Sequence, residues 1–267
     1  MSLSVVISSH NRPSPLRRAA ESALGQVSVD EVIVVDDASR VTPDLSGLDV
    51  GRIRLECHKA NLGVCAVRNT GLSLVRTDYV AFLDDDDRLL PDAFQPVLDA
   101  PHDGSTVAAG VVVVERKGVV VEKRRPPSSS DGQIWGLDAI LLRGGERSFY
   151  CKQSAVYSTQ ILRRLGGWNE DLRSRSATEL FFRICTRYAV LGVDHPVYAL
   201  SRGANDHLTN DRELWAISYQ YLLDNYGELL ADPERYAYFE RSNRARLRRS
   251  SKWYRAVHGL AELLEWR

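Results

Sequence analysis

The chain has 267 residues, 44% of them hydrophobic and 26% charged, enough to bury a large core as one large domain or two fused ones. Lys+Arg and Asp+Glu number 35 each, and that balance excludes bulk electrostatic attraction to nucleic acid or to acidic membranes. No signal-peptide pattern and no apolar run of roughly 18 residues is present. The four cysteines, Cys57, Cys65, Cys151 and Cys185, show neither metal-type nor scaffold-type spacing, so the expectation is a cytoplasmic protein with free thiols.

Residues 3–9 are a short apolar run that reads as a buried strand, followed by Asn11-Arg12-Pro13. Ser14-Pro15 opens a helical pattern with Leu16, Ala19, Ala20, Ala23 and Leu24 on one face, closing near Gly25. Residues 31–35 read as a second buried strand ending in Asp36-Asp37, and residues 52–57 as a third. Asn61-Leu62-Gly63 is a turn, with a helix expected over residues 64–75. Tyr79-Val80-Ala81-Phe82-Leu83 then runs straight into Asp84-Asp85-Asp86-Asp87. A buried strand ending in like charges presents them at its tip, and a divalent cation with oxygen ligands relieves their repulsion. Strands alternating with helices imply βαβ units and a parallel sheet. Two strands ending in carboxylates put a candidate site at one edge of that sheet.

A helix is expected over residues 91–99, before Pro101-His102-Asp103-Gly104 breaks the pattern. Val107–Glu115 and Val119–Lys123 flank Arg116-Lys117-Gly118 and read as a β-hairpin. Residues 126–132 are a loop, and helices are expected near 136–143 and over 156–165. Gly166-Gly167-Trp168-Asn169-Glu170 is a turn leading to an amphipathic helix over about 176–189, and residues 193–200 read as a strand. From Arg212 onward the pattern is helical, with Leu214, Ile217, Tyr221, Leu222, Leu260, Leu263 and Leu264 as apolar positions. Its basic stretch (Arg244, Arg246, Arg248, Arg249, Lys252) leaves several readings open: peripheral contact at the inner membrane face, a partner, a homodimer through these helices, or solvent.

Five motifs in order carry a resemblance: Val5-Val6-Ile7-Ser8-Ser9-His10-Asn11-Arg12-Pro13, Val34-Val35-Asp36-Asp37-Ala38-Ser39, Asn61-Leu62-Gly63, Arg68-Asn69-Thr70-Gly71, and Ala81-Phe82-Leu83-Asp84-Asp85-Asp86-Asp87 with Pro91-Asp92. Together they resemble the inverting family 2 glycosyltransferases of the GT-A fold, closely over residues 3–92 and thinly over residues 166–183 thereafter. The resemblance implies an α/β fold: a Rossmann-like nucleotide-binding sheet over residues 1–105, a fused acceptor-binding half over 106–210 and a helical C-terminal extension over 211–267. It implies transfer of a sugar from a UDP- or dTDP-sugar to a hydroxyl of a glycan, lipid-linked, peptide or small-molecule acceptor, assisted by Mg²⁺ or Mn²⁺.

The implied roles follow residue by residue. Ser8, Ser9, His10 and Arg12 line the nucleobase pocket, with His10 stacking where the family often has an aromatic ring. Asp37 accepts the base N3–H, Arg68 faces the diphosphate or base, Asp84 or Asp85 holds the ribose, and Asp86 coordinates the metal. His207 is a further candidate toward the metal or diphosphate. An inverting transfer also needs a carboxylate to take the acceptor's proton. Where the resemblance expects that acid the chain has Ser176-Ala177. Glu179, three residues on and on roughly the same helix face, is the nearest substitute, with Asp171 and Glu170 on the preceding loop. Two alternatives stand beside the transferase: a sugar-nucleotide-binding subunit that has lost its base, and a nucleotidyltransferase, whose Gly-rich phosphate loop Ser8–Arg12 lacks.

Overall fold

The computed structural model describes residues 1–100, 107–126, 149–202 and 212–228. Four parallel strands form one side of the sheet: β1 (Leu3–Ser9), β2 (Glu31–Asp36), β3 (Ile53–Cys57) and β4 (Tyr79–Asp84). They lie in the order β3-β2-β1-β4. Val5, Val6, Ile7 and Val32 to Val35 are wholly buried, as expected for parallel strands covered on both faces. Each such side chain contributes roughly 1.5–3 kcal/mol through burial. The covering comes from α1 (Pro13–Leu24), which buries Leu16, Ala19, Ala20 and Ala23, and from α2 (Val64–Leu74). α2 lies so close to β1 that a Cβ on Gly71 would stand 2.3 Å from Val6 Cγ1, so the position admits only glycine.

The chain leaves β1 in one direction to β2 and β3 and returns on its other side at β4. That reversal is the switch point beyond which open α/β sheets bind ligands, at the carboxyl ends of the strands. The register sets Ser8 against Asp84 and Ser9 against Asp36, so the loops after β1, β2 and β4 emerge side by side.

The same sheet continues through the second half of the chain. β5 is the short Arg88–Leu89 and α3 a single turn, Gln95–Leu98, where a helix over 91–99 was expected. β6 (Val107–Arg116) and β7 (Val119–Arg124) form the expected hairpin around Lys117 and Gly118, both at positive φ. A 3-10 segment, Phe149–Ser154, precedes β8 (Ala155–Ser158), which pairs antiparallel with both β4 and β6. The helix expected over 156–165 is thus a strand followed by α4 (Thr159–Arg164). The break falls at Ser158, whose hydroxyl caps α4 by accepting from the Ile161 N–H. α5 (Ser176–Cys185) is the amphipathic helix. β9 (Val190–Ser201) runs parallel to β6 and antiparallel to β5, completing the order β3-β2-β1-β4-β8-β6-β9-β5.

Since β4 pairs with β8, the parts of the chain before and after residue 105 share one sheet. Contacts divide the chain differently, into one unit of residues 1–171 and 176–203 and another of 172–175 and 204–267. The second unit contains α6 (Arg212–Tyr226), on which Trp215 stacks with Tyr219 at 6.0 Å and an interplanar angle of 2°. Arg175 lies over the Trp215 ring at 4.7 Å. The helix expected near 136–143, His207 and the basic stretch from Arg244 to Lys252 lie outside the described residues. Among the described residues no helix is long and apolar enough to cross a membrane.

Candidate active site

The loops after β1 and β2 are fastened to each other. The Asn11 N–H donates to Ser39 Oγ at 2.7 Å, the Arg40 N–H to Asn11 Oδ1 at 2.9 Å, and the Ser39 N–H to Asp36 Oδ2 at 2.8 Å. Asn11 and Ala38 sit at φ +56° and +57°, a strained conformation for alanine, held by this bonding. His10 then joins the two acidic groups. Its Nδ1 pairs with the Asp37 carbonyl at 2.8 Å and its Nε2 with the Asn11 amide nitrogen at 2.7 Å, which fixes the Nδ1–H tautomer. Its backbone N–H donates to Asp85 Oδ2 at 3.2 Å.

Asp37 is buried. It accepts from the Leu62 and Gly63 N–H groups and from His58 Nδ1, all at 2.8 Å. Burial pushes its carboxyl up, but these donors outweigh it and hold the group below the usual carboxylate range. A carboxylate offers about four lone-pair sites, so three internal bonds leave one for a ligand. No sequence motif pointed to His58, whose Nε2 pairs in turn with Thr70 Oγ1 at 2.9 Å.

The four aspartates divide by alternation: Asp85 and Asp87 are each 6% exposed, whereas Asp84 and Asp86 reach the surface. Arg12 Nη1 contacts Asp86 Oδ2 at 2.7 Å and Asp85 Oδ1 at 3.2 Å. Arg68 donates to Asp84 Oδ1 at 2.7 Å while its guanidinium lies 4.3 Å from the centroid of Trp168, and Ser8 Oγ donates to the same oxygen at 3.3 Å. Burial, reinforced by Asp86 and Asp84, pushes Asp85 up to about 6 despite Arg12 and the His10 N–H. Burial and the neighbouring Asp84 push Asp87 up to about 8, against the Ser201 N–H and the Tyr198 hydroxyl. Tyr198 is the link no local pattern revealed: its hydroxyl donates to Asp87 Oδ2 at 2.7 Å and accepts from the Asp84 N–H at 3.2 Å. Ser9 Oγ is buried and has no partner among the described residues.

Across the cleft, Asn69 on α2 grips the turn before α5. Its Nδ2 donates to the Trp168 carbonyl at 2.9 Å and to Glu170 Oε1 at 2.7 Å, and its Oδ1 accepts from the Trp168 N–H at 2.7 Å. Gly167, at φ +71°, would carry a Cβ only 2.5 Å from that Oδ1. Glu179, the nearest substitute for the missing acid, forms an ion pair with Arg183. It is 2% exposed, and its two oxygens accept from Arg183 at 2.8 and 2.7 Å, while Arg183 also donates to the carbonyls of Leu165 and Gly167. The physical reason is the i,i+4 spacing, which turns the acid toward the arginine. Glu170 and Asp171 are exposed on the turn. Ser176 and Ala177 occupy the first turn of α5.

Among the described residues no three His, Cys, Asp or Glu side chains converge as a self-sufficient metal cage. A nucleotide-bound Mg²⁺ needs less, one or two carboxylates with phosphate and water oxygens. The outward Asp84 and Asp86 fit that demand.

A curled α/β sheet with its acidic cluster at the switch point defines a GT-A-like domain. The chain belongs to glycosyl transferase family 2, which matches residues 4–166. The succinoglycan biosynthesis protein ExoO of Rhizobium meliloti (strain 1021) is 37% identical over 97 residues, 35% of this chain and 28% of that protein. The pre-mycofactocin glycosyltransferase of Mycobacterium tuberculosis (strain ATCC 25618 / H37Rv) is 30% identical over 214 residues, 79% of this chain. The chain spans only 28% and 44% of the lengths of these two curated relatives. The crystal structure of S. aureus TarS 1-349 in complex with UDP-GlcNAc has the same fold, with a TM-score of 0.57 at 19% identity over 84% of this chain and 67% of that one.

Proposed function

We propose that this chain transfers a sugar, with inversion, from a uridine or deoxythymidine diphosphate donor to an acceptor hydroxyl. The observation that carries the reading is the meeting of Asp37, His10, Arg12, Arg68 and Asp84 to Asp86 at one end of β1, β2 and β4. His10 offers a ring face to the base, and the remaining lone pair of Asp37 takes its N3–H. Asp84 or Asp85 holds the ribose, and Arg68, kept in place by Trp168, faces the diphosphate. Asp86, with Asp84 beside it, would hold a divalent ion. That ion supplies charge neutralisation for the departing nucleotide.

The acceptor oxygen attacks the anomeric carbon from the face opposite the nucleotide. The bond to the diphosphate oxygen breaks, and the acceptor's proton passes to a carboxylate. In this reading the exposed Asp171, beside Glu170, receives that proton, and Glu179 anchors the turn through Arg183. The acceptor lies against the half that begins with β6. The resemblance of the UDP-GlcNAc complex of TarS in fold supports the donor class without naming this chain's sugar.

Calorimetric titration of UDP with Mn²⁺ tests the reading. The parent is expected to bind and Asp86→Ala to lose the metal-dependent part; equal, metal-independent affinity in both refutes the role of Asp86. A second reading, a donor-binding subunit without its own base, is favoured by Ser176-Ala177 at the head of α5. Tight UDP binding with no transfer or hydrolysis of any UDP- or dTDP-sugar selects it.

A further inference from the structure

Two guanidiniums serve the acidic turn, and they are held differently. Arg68 is 13% exposed, packed on Trp168 and paired with Asp84. Arg12 is 31% exposed and reaches Asp86 from the mouth of the site. Its backbone is fixed: the Arg12 carbonyl accepts from the Leu16 N–H at 3.0 Å, Pro13 follows, and Asn11 is bonded to Ser39 and Arg40. The long side chain projects from that fixed point, and its Nη1 also touches Asp85 Oδ1 at 3.2 Å.

The carboxylate to which the metal falls in the donor-site reading therefore already carries a cation of the chain's own, 2.7 Å from Asp86 Oδ2. A guanidinium does not lose its charge in a protein, so it cannot make way by deprotonation. A divalent ion on the same carboxylate would stand beside it as a like charge. We propose, on the basis of that donor-site reading, that Arg12 is a tethered cation that competes with the divalent metal for Asp86 and, once displaced, turns its guanidinium onto the donor's diphosphate. A planar fork of N–H donors suits phosphate oxygens as well as it suits carboxylate. Metal binding and diphosphate capture would then be one exchange, with the Arg12 guanidinium leaving the Asp86 carboxylate for the phosphate oxygens. Linkage makes the competition reciprocal, so weakening the Arg12–Asp86 pair must strengthen metal binding.

The experiment has two arms on the full chain. Mn²⁺ alone is titrated into the parent, Arg12→Gln and Arg17→Gln, followed by calorimetry and by the electron paramagnetic resonance of free Mn²⁺. UDP is then titrated at saturating Mn²⁺. Arg17 is the control because it lies on α1, the helix that Arg12 immediately precedes, but pairs with Glu21. Arg12→Gln is expected to bind Mn²⁺ roughly ten-fold more tightly and UDP roughly ten-fold more weakly, the scale of a charge-assisted hydrogen bond discounted for partial exposure. Arg17→Gln should shift neither. Opposite signs from one substitution are what a purely structural role for Arg12 would not give. Mn²⁺ affinity that is unchanged or weaker in Arg12→Gln overturns the competition, as does an equal gain in Arg17→Gln or the absence of Mn²⁺ uptake by parent and variant alike. Arg12→Met, which keeps the stem, repeats both arms should the glutamine variant fold poorly. If UDP binds no preparation while the Mn²⁺ shift is seen, the competition stands and the donor reading with its diphosphate step falls.

Discussion

Replacing Tyr198 with phenylalanine removes one oxygen atom from the buried end of the acidic turn. That oxygen donates to Asp87 Oδ2 at 2.7 Å and accepts from the Asp84 N–H at 3.2 Å, and Tyr198 is only 1% exposed, so water cannot replace it freely. Asp87 keeps the Ser201 N–H at 2.7 Å, whereas the Asp84 N–H loses its partner from β9. Each buried polar group left short of a partner costs about 1–3 kcal/mol, so Tyr198→Phe should cost about 2–4 kcal/mol. Against a typical total stability of about 5–15 kcal/mol, that loss is readily measured. In urea it appears as a lower midpoint at unchanged slope. Since the two groups touch, Tyr198→Phe and Asp87→Asn should also be non-additive in a double-mutant cycle, with coupling above about 1 kcal/mol. A Tyr198→Phe cost below about 0.5 kcal/mol, or strict additivity, refutes the claim that β9 holds the acidic turn through this hydroxyl.

Glu179→Gln should lower stability by about 2–3 kcal/mol, because one partner of a largely buried pair is lost while Arg183 keeps its carbonyls. UDP affinity should stay at the parent value, and a fully stable variant with sharply reduced transfer would restore Glu179 as the base. Asp37→Asn should flatten the acid limb of stability. With a folded value below the unfolded one, Asp37 stabilises the protein above about pH 4 and loses that contribution as pH falls through the folded value. Urea midpoints from neutral pH into acid should therefore converge for parent and variant, and parallel curves would contradict the assignment.

The donor side of the sheet was legible because its signals are local. An apolar run such as residues 31–35 that ends in Asp36-Asp37 states both its burial and its exposed tip. The residues that hold those tips together are not local. His58 meets Asp37 across 21 positions, Asn69 meets Trp168 across 99, and Tyr198 meets Asp87 across 111. No periodicity reports such pairs; only the strand order does. β8 was misread because four residues are too few to show a period of two, and they run directly into the helix that Ser158 caps. Glu179 is a different case. Its partner Arg183 stands four residues on, a spacing visible in the sequence, so the helix neighbourhood that placed the acid three residues from Ser176 also tied it to the arginine.

The balance of charge at the switch point explains why a nucleotide diphosphate would need help to enter. Five carboxyl groups, Asp37 and Asp84 to Asp87, gather there, while among the described residues Arg12 and Arg68 bring guanidiniums to the aspartates of the β4 tip. Arg68 is packed in place, so it neither follows a ligand nor leaves Asp84 cheaply. A diphosphate would add negative charge to a site already rich in it, and like charges held close repel strongly where water is excluded. Free movement of Arg12 onto the phosphates would relieve them only by exposing Asp86 to its neighbours. A divalent ion held by Asp86 would supply positive charge for both demands, leaving the Arg12 guanidinium to turn toward the phosphates. In the proposed exchange nucleotide and metal binding would depend on each other through one side chain in the loop after β1.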